Sequence, residues 1–552
     1  MILRFLKSPY LFLPFLFLFL LQTAPRLWTD SIMRDEAWDL TNGYCYWTQG
    51  EVRNQATFFH TPFSFALQSL PLLALNLKSP PKGLDEENRA HVFCFLLNRN
   101  QMEKMFFLGR SVSLILGVSI GLLLFLGTRS FGPIVTFFAL SLWAFDPTIL
   151  AWAPTVKTDV PAVFFAYAAA FFFIKSRRSP HIGWSLLSGV ILGMAATTKM
   201  SCFSLFPACL ILEFTTRRPY QNLWRRWFLI LLGFSVWLGL LYAPGFFQYP
   251  FPWTPFHELL ERFRLSASYF GHVYPPFLFG QVSNHGLWFY YLVAFFLKST
   301  ITFSALLLLG IGLLLARKIR TEAYVWLFPI FLVVPMATFT WGSLRYLLPA
   351  QPFLILIAAF SAQWLWNRPP IGQIKIFRYV AVFLLVAHVL SVAASFPRHL
   401  SYFNDAIPQN RRIHLLGGSE FDCGQDYKRL AKTAEQNGWK HIKLASESMT
   451  DPSVYGILWN RWTQKDLEGP QSGWVYVTSA AFLQSAPSVY PQTYPIAMSW
   501  VRHLAPTRMV GDTLIIHEMP GEISKKDETP LLNSMPYFNY PDPLHPSGTN
   551  AK

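Results

Sequence analysis

MRDEAWDLTNGYCYWTQGEVRNQATFFHTPF, residues 33–63, sets two adjacent carboxylates, Asp35 and Glu36, just beyond an apolar run and closes on His60-Thr61-Pro62. The run before it, residues 10–27, follows Arg4 and Lys7 and lacks a small-residue cleavage site, so it reads as a membrane anchor and not as a removed signal peptide. The two acids are therefore delivered to the far face of a bilayer. Carboxylates at that depth are costly and either pair with cations or act on something, the plainer alternative being a helix cap.

Composition carries the same message over the whole chain. With 552 residues that are 52% hydrophobic, 17% aromatic and only 14% charged, this is a polytopic α-helical membrane protein. A net charge of +16 would suggest a nucleic-acid partner in a soluble chain. Here the basic residues fall in short clusters between apolar runs, where they orient helices, and nucleic acid is excluded as a partner. A window of about 19 residues finds the first span and then runs near 106–127, 133–152, 159–175, 184–199, 201–214, 227–244, 297–316, 324–341, 346–366 and 378–396, eleven in all. Between the first two lies a loop, 28–104, whose piece 61–77 is apolar, short and broken by prolines, as suits a helix lying along the interface.

The loops sort by charge. With the N-terminus inside, the inner connections carry Arg129, then Lys175, Arg177 and Arg178, then Arg217, Arg218, Arg225 and Arg226, then Arg317, Lys318 and Arg320, and last Arg368, Lys375 and Arg378. The short outer turns hold almost only Lys157, Lys199 and Arg345. An odd number of spans then places the C-terminal part outside, in a cell membrane. Residues 1–396 form the membrane domain, with a second large outer loop at 245–296. Residues 397–520 return to soluble composition, with a helix-like run at 424–438 and strand-like runs at 441–446, 474–478 and 513–519, predicting a small α/β domain. That domain, lacking a constellation of acids and bases, is expected to shape acceptor choice and not chemistry. Residues 521–552, rich in proline and polar residues without period, read as a disordered tail. Of five cysteines, Cys45 and Cys94 share the first outer loop and are either a disulfide or two buried thiols.

The polar residues of the outer side gather at one level: Asp35, Glu36 and His60, then Lys157 and Asp159, Lys199, Lys298 and Arg345. Singly, each lysine or arginine is explained by snorkelling to the interface and Asp159 by helix capping. Together, acids and cations on one face suit a pocket that holds a phosphate beside a general base. The chain carries no nucleotide-binding glycine loop, no zinc spacing and no nucleophile elbow.

The motifs resemble a known family. Asp35-Glu36 after the first span, HTPF (60–63), LAWAPTVKTDVPAVFF (150–165), GMAATTKMS (193–201), FGHVYPPFLFGQVSNHGLWFYYLVAFFLKST (270–300), RYLLPAQPFL (345–354), SYFNDAIP (401–408) and GGSEFDCGQDYKRL (417–430) follow in the order seen in integral-membrane C-type glycosyltransferases of family 39. That family includes protein O-mannosyltransferases and the aminoarabinose transferase of lipid A, and the chain looks closest to bacterial relatives of unassigned acceptor. Thr61 and Cys423 depart from the family's usual Pro and Trp.

The resemblance implies an inverting hexosyl- or pentosyltransferase that moves a sugar from a polyprenyl-phosphate donor to a hydroxyl of a protein, lipid or glycan. It implies Asp35 as base, with Glu36 and Asp159 positioning the acceptor or a divalent cation. His272 and His285 are further ligands if a metal is used. Lys199, Lys298, Arg345 and His60 would hold the donor phosphate. A transporter or lipid flippase would also need many spans and intramembrane charges, but the spans show no internal repeat and the acids lie in outer loops. An assembly protein would leave the clustered charges without a role.

Overall fold

The computed structural model describes residues 6, 8–52, 61–215, 223–247, 254–269, 276–283, 287–319, 321–337, 343–371, 373–446, 448, 450–489 and 499–522. His60, His272 and His285, and the expected tail from residue 523 onward, lie outside the described residues.

Each of the eleven expected runs coincides with an apolar helix. Six reach the length of a membrane span among the described residues: Pro9–Thr29, Arg99–Phe131, Asp159–Arg178, Leu223–Leu241, Leu348–Trp366 and Ile376–Ala393. The other five are shorter among the described residues. The run 133–152, for example, becomes Pro133–Ala144 and Pro147–Trp152, broken where the Asp146 carboxylate accepts from the N–H groups of Thr148 (3.0 Å) and Ile149 (2.8 Å) and Pro147 opens the second helix.

Helix pairing inside this bundle depends on small residues. A Cβ on Gly189 would lie 1.9 Å from the Ile230 carbonyl oxygen, and one on Gly233 would lie 2.2 Å from that of Leu186. The helices Ile182–Ala196 and Leu223–Leu241 therefore meet backbone to backbone at two points, the close approach that replaces hydrophobic drive in lipid.

The apolar piece of the first outer loop does not lie free along the interface. Its helix Phe63–Ser69 buries Phe63, Phe65 and Ala66 and crosses the helix Glu36–Gln49 at Gly43, where a Cβ would come within 2.0 Å of the Phe65 carbonyl oxygen. Trp47 donates its indole N–H to Ala66 at 2.7 Å, and Gln68 donates to Ser113 and to the Lys157 carbonyl at 2.6 and 2.8 Å. Polar anchors to neighbouring helices thus draw this short helix inward, and only its distal turn, with Leu70 and Leu73, is exposed.

Beyond the last span lies a mixed sheet. After the hairpin β1 (Phe277–Leu278) and β2 (Gln281–Val282), the strands β3 (Ile442–Ala445), β4 (Trp459–Arg461), β5 (Val475–Ser479), β6 (Arg508–Val510) and β7 (Leu514–Glu518) form a sheet of order β4-β3-β5-β7-β6. β3 is parallel to β4 and β5, and β7 runs antiparallel to β5 and β6. The helix Tyr427–Asn437 packs Tyr427 and Leu430 against this sheet and ends at Gly438, whose φ of 65° makes the left-handed cap. The expected helix and three strands are all present. β4 and β6, of three residues each, are too short for alternation to mark them.

All five cysteines are free and buried. Burial pushes the Cys45 and Cys94 thiols up to about 12, and the Cys94 sulfur lies 3.6 Å from the Thr41 hydroxyl. The first outer loop holds two buried thiols and not a disulfide.

Candidate functional site

The adjacent carboxylates Asp35 and Glu36 point to opposite fates. Glu36 opens the helix Glu36–Gln49 and is wholly buried. Its two oxygens accept from Arg110 Nε and NH2 at 2.9 and 2.6 Å and from the backbone N–H groups of Val156 and Met33, each at 2.8 Å. Arg110 in turn donates to the carbonyls of Leu27 and Asp30 at 3.1 Å and of Ser31 at 2.7 Å. This bidentate, fully bonded pair ties the 27–36 loop to the turn that carries Lys157. Its lone pairs are used, so Glu36 is a positioning residue here and does not face an acceptor.

Asp35 is the residue this knot presents. Its φ of 72° is left-handed, a conformation that costs a non-glycine residue about 1–3 kcal/mol and persists only when its surroundings impose it. The imposing contacts come from the far end of the chain. Ser31 N–H bonds to the Gln425 carbonyl (3.2 Å), Arg34 N–H to that of Cys423 (2.8 Å), and Ile32 N–H to the Tyr455 hydroxyl (2.7 Å). Thr450 donates back to the Ile32 carbonyl at 3.0 Å, and Lys428 N–H reaches the Ser31 hydroxyl at 2.7 Å. The C-terminal unit, expected to govern acceptor choice alone, therefore holds the conformation of the catalytic candidate.

The Asp35 side chain is 28% exposed and pairs with the Lys157 ammonium. Burial alone would raise its carboxyl, but Lys157, Arg34 and Arg345 together hold it well below the usual carboxylate range. Beside it Lys199 donates to Asp159 at 2.6 Å and to the Arg345 carbonyl at 3.2 Å, its ammonium 4.5 Å from the centre of the Tyr346 ring. The Arg345 guanidinium lies 5.9 Å from the Trp152 ring and 5.7 Å from that of Tyr346, and among the described residues it enters no ion pair. Its charge acts on both Asp35 and Asp159. Arg345 thus stands between two lysine–aspartate ion pairs with no carboxylate partner of its own among the described residues.

Lys298 is not part of this group. Its ammonium donates to the carbonyls of Leu400 and Glu420, both at 2.7 Å, and lies 4.9 Å from the centre of the Phe403 ring. It clasps the segment after the last span, while the Glu420 carboxylate takes the Ser343 hydroxyl and the Leu344 N–H at 2.6 Å each. Two of the three Lys298 N–H donors are thus spent on backbone carbonyls.

The acids also fail to suit a divalent cation. Asp35, Glu36 and Asp159 each already face an ammonium or guanidinium group, so an ion set among them would meet three cations. No group of three or more His, Cys, Asp or Glu poised for a metal occurs among the described residues.

Sequence reasoning passed over three participants. Lys157, noted as an outer-turn cation, proves to be the partner of Asp35. Arg110 sits in the middle of an apolar helix and buries a full charge, a signal legible in its own run. Asp39, one turn after Asp35, also faces the cluster; its i, i+4 spacing was the clue.

Among the described residues, acids and cations thus gather beside a partly exposed carboxylate, Asp35, in a helical multi-pass membrane protein. Residues 101–242 match the family model described as Dolichyl-phosphate-mannose-protein mannosyltransferase, so the glycosyltransferase likeness read from the motifs is found again over that segment. Among solved structures, the chain is similar to ArnT from Cupriavidus metallidurans in the apo state, with 14% identity, 92% of this chain and 96% of that chain covered and a TM-score of 0.46. The same protein bound to undecaprenyl phosphate matches at 13% identity, covering 92% and 98%, with a TM-score of 0.47. An Archaeoglobus fulgidus oligosaccharyltransferase, tethered with an acceptor peptide containing the NVT sequon via a disulfide bond, matches at 11% identity, 78% of this chain and 58% of that chain, with a TM-score of 0.47. Among curated proteins none matches.

Proposed function

We propose that the protein is a membrane glycosyltransferase that moves a sugar from a polyprenyl-phosphate donor to a hydroxyl on a protein, lipid or glycan at the outer face of the membrane. The single observation that carries this reading is a left-handed, partly exposed Asp35 within the field of an arginine, Arg345, that enters no ion pair among the described residues. The carboxylate is the base and the guanidinium is the phosphate seat.

The chemistry asks for little more. The bond that breaks joins the anomeric carbon to a phosphate oxygen, a good leaving group whose growing charge Arg345 and Lys199 neutralise. The acceptor hydroxyl attacks from the opposite face and hands its proton to Asp35. Because the leaving group departs without acid help, the proton is lost late, and a carboxylate of low basicity is adequate. Asp159, held by Lys199, orients that ammonium. The charge clusters of the loops support an orientation with Asp35 outside and the N-terminus inside, and a reporter fused after residue 400 should be active only outside the cytoplasm.

The direct test is release of labelled sugar from a polyprenyl-phosphate donor by membranes containing the full chain. Wild type should release sugar and Asp35→Asn should lose at least about a hundredfold in turnover while still binding donor, the usual share of a general base being about 10² to 10⁴. No release by wild type from any such donor would end the reading.

A further inference from the structure

Arg345, the guanidinium proposed to seat the phosphate, rides on a short helical turn that does not cap itself. The turn Leu344–Tyr346 follows Ser343, whose side chain makes no cap, so its first N–H group needs a partner from elsewhere in the chain. Glu420 supplies it. From 76 residues further on, its Oε1 accepts from the Leu344 N–H and from the Ser343 hydroxyl, both at 2.6 Å, and the residue is 3% exposed. Short bonds to a buried carboxylate are the strong kind, and these two fix the backbone from which Arg345 departs. The turn then closes on itself, with Tyr346 N–H on the Ser343 carbonyl at 3.1 Å and Leu347 N–H on that of Leu344 at 2.8 Å. The Arg345 carbonyl takes the Lys199 ammonium at 3.2 Å.

The run that carries Glu420 also reaches the other half of the site. Three residues on, the Cys423 carbonyl accepts from the N–H of Arg34, the neighbour of Asp35, at 2.8 Å. Three residues of chain span at most about 11 Å, so one short piece of backbone holds both turns at a bounded separation. That piece is braced. Asp422 N–H bonds to the Gly418 carbonyl at 3.0 Å, Cys423 N–H to Gln425 Oε1 at 2.8 Å, Gln425 Nε2 to the Phe421 carbonyl at 3.0 Å, and Ala481 N–H to Asp422 Oδ2 at 3.1 Å. A chain bonded in this way has little freedom to stretch.

We infer that Glu420 is a positioning residue: its carboxylate holds the turn that aims Arg345 at the donor phosphate, and the braced run from 420 to 423 sets the spacing between that guanidinium and Asp35. This rests on the reading of Arg345 as the phosphate seat. Glu420 acts through Arg345 and touches neither donor nor acceptor.

The test is a double-mutant cycle on binding of a sugar-free polyprenyl monophosphate to the full chain in lipid nanodiscs. Glu420→Met keeps bulk and removes the accepting oxygen, whereas Glu420→Gln keeps Oε1 as an acceptor. With Arg345 present, Glu420→Met should weaken binding by about five- to tenfold, and Glu420→Gln should stay within about threefold of wild type. With Arg345→Ala already in place, Glu420→Met should cost less than about twofold more, because the group it positions is gone. At saturating donor its turnover should fall by about tenfold or more, as displacement of a phosphate contact relative to the base requires. An equal loss of affinity in both backgrounds would overturn the proposal, since a cap needed only for folding does not depend on Arg345. Unchanged affinity in Glu420→Met would overturn it as well. So would Glu420→Gln as weak as Glu420→Met, which would make charge and not the accepting oxygen the cause. Normal turnover at saturating donor would overturn the spacing assigned to the braced run. Should Glu420→Met fail to fold, Ser343→Ala, which removes one of the two donors, goes through the same cycle. A loss of about threefold confined to the chain with Arg345 is expected there, and no loss, or the same loss in both backgrounds, overturns the proposal. A wild-type chain that binds no polyprenyl phosphate would instead sink the phosphate seat on which the inference rests.

Discussion

Two knots of charge lie side by side, and they are built on opposite principles. Around Arg110, Glu36 and the carbonyls of Leu27, Asp30 and Ser31 use up the guanidinium, and neither partner sees solvent. Around Arg345, aromatic rings and a neighbouring ion pair surround a guanidinium that meets no carboxylate among the described residues. The closed knot fixes backbone; the open one offers a field. Closure also explains why two consecutive acids do unlike work, since Glu36 is spent in holding the loop on which Asp35 is displayed.

The contrast can be broken from either side. The largest effect is expected in the closed knot. Glu36→Gln leaves the Arg110 charge buried without its counter-ion, which should cost about 3–5 kcal/mol and be seen as loss of folded, membrane-inserted protein in a thermal or detergent-resistance assay. Retained stability would mean that the two knots do not differ in kind. Next is Asp35→Asn, which should spare folding and donor affinity while cutting turnover at least about a hundredfold. Normal turnover would move the base elsewhere. Third, Arg345→Ala should weaken donor binding by about tenfold to a hundredfold, as expected for loss of one charge-assisted phosphate contact, with the fold intact. If Lys298→Met matched it in donor affinity alone, the clasp assigned to Lys298 would be wrong.

A finer distinction lies in pH. Cations hold the Asp35 carboxyl below its ordinary range, so the basic form, and any stability it brings, persists as pH falls through about 4 and is lost only further down. Lys157→Met removes the nearest cation and should shift the acid limb of turnover upward. An unmoved limb would separate Lys157 from Asp35 in function. The smallest expected effect is at Cys45 and Cys94, where reductant or Cys→Ser exchange should leave activity unchanged, as buried free thiols require.

How far the sequence foretold this varies with the range of the interactions. The helices were legible because a run of apolar residues, such as 346–366, needs no partner to declare itself. The motif around Asp35 was legible too. What separated Asp35 from Glu36 was not, because the deciding residue, Arg110, lies 74 positions away. Lys298 looked like an outer cation, yet the carbonyls that engage it come from 102 and 122 residues further on. The 61–77 piece looked interfacial from its composition, whereas Gly43 and Gln68, which draw it inward, speak only once two helices are seen to cross.

The support of Asp35 by residues 423–455 has a consequence for how the molecule comes into being. The loop that carries the carboxylate is among the first parts of the chain to be synthesised, and the groups that hold its left-handed turn, at 423–455, follow only after all the expected spans. Until Cys423, Gln425, Thr450 and Tyr455 have been made and docked, the turn has no reason to form, and the growing polypeptide carries an unarmed carboxylate through nearly all of its manufacture. Docking of this later segment and arming of the site are then one event, so that a copy truncated before it would sit in the membrane inert.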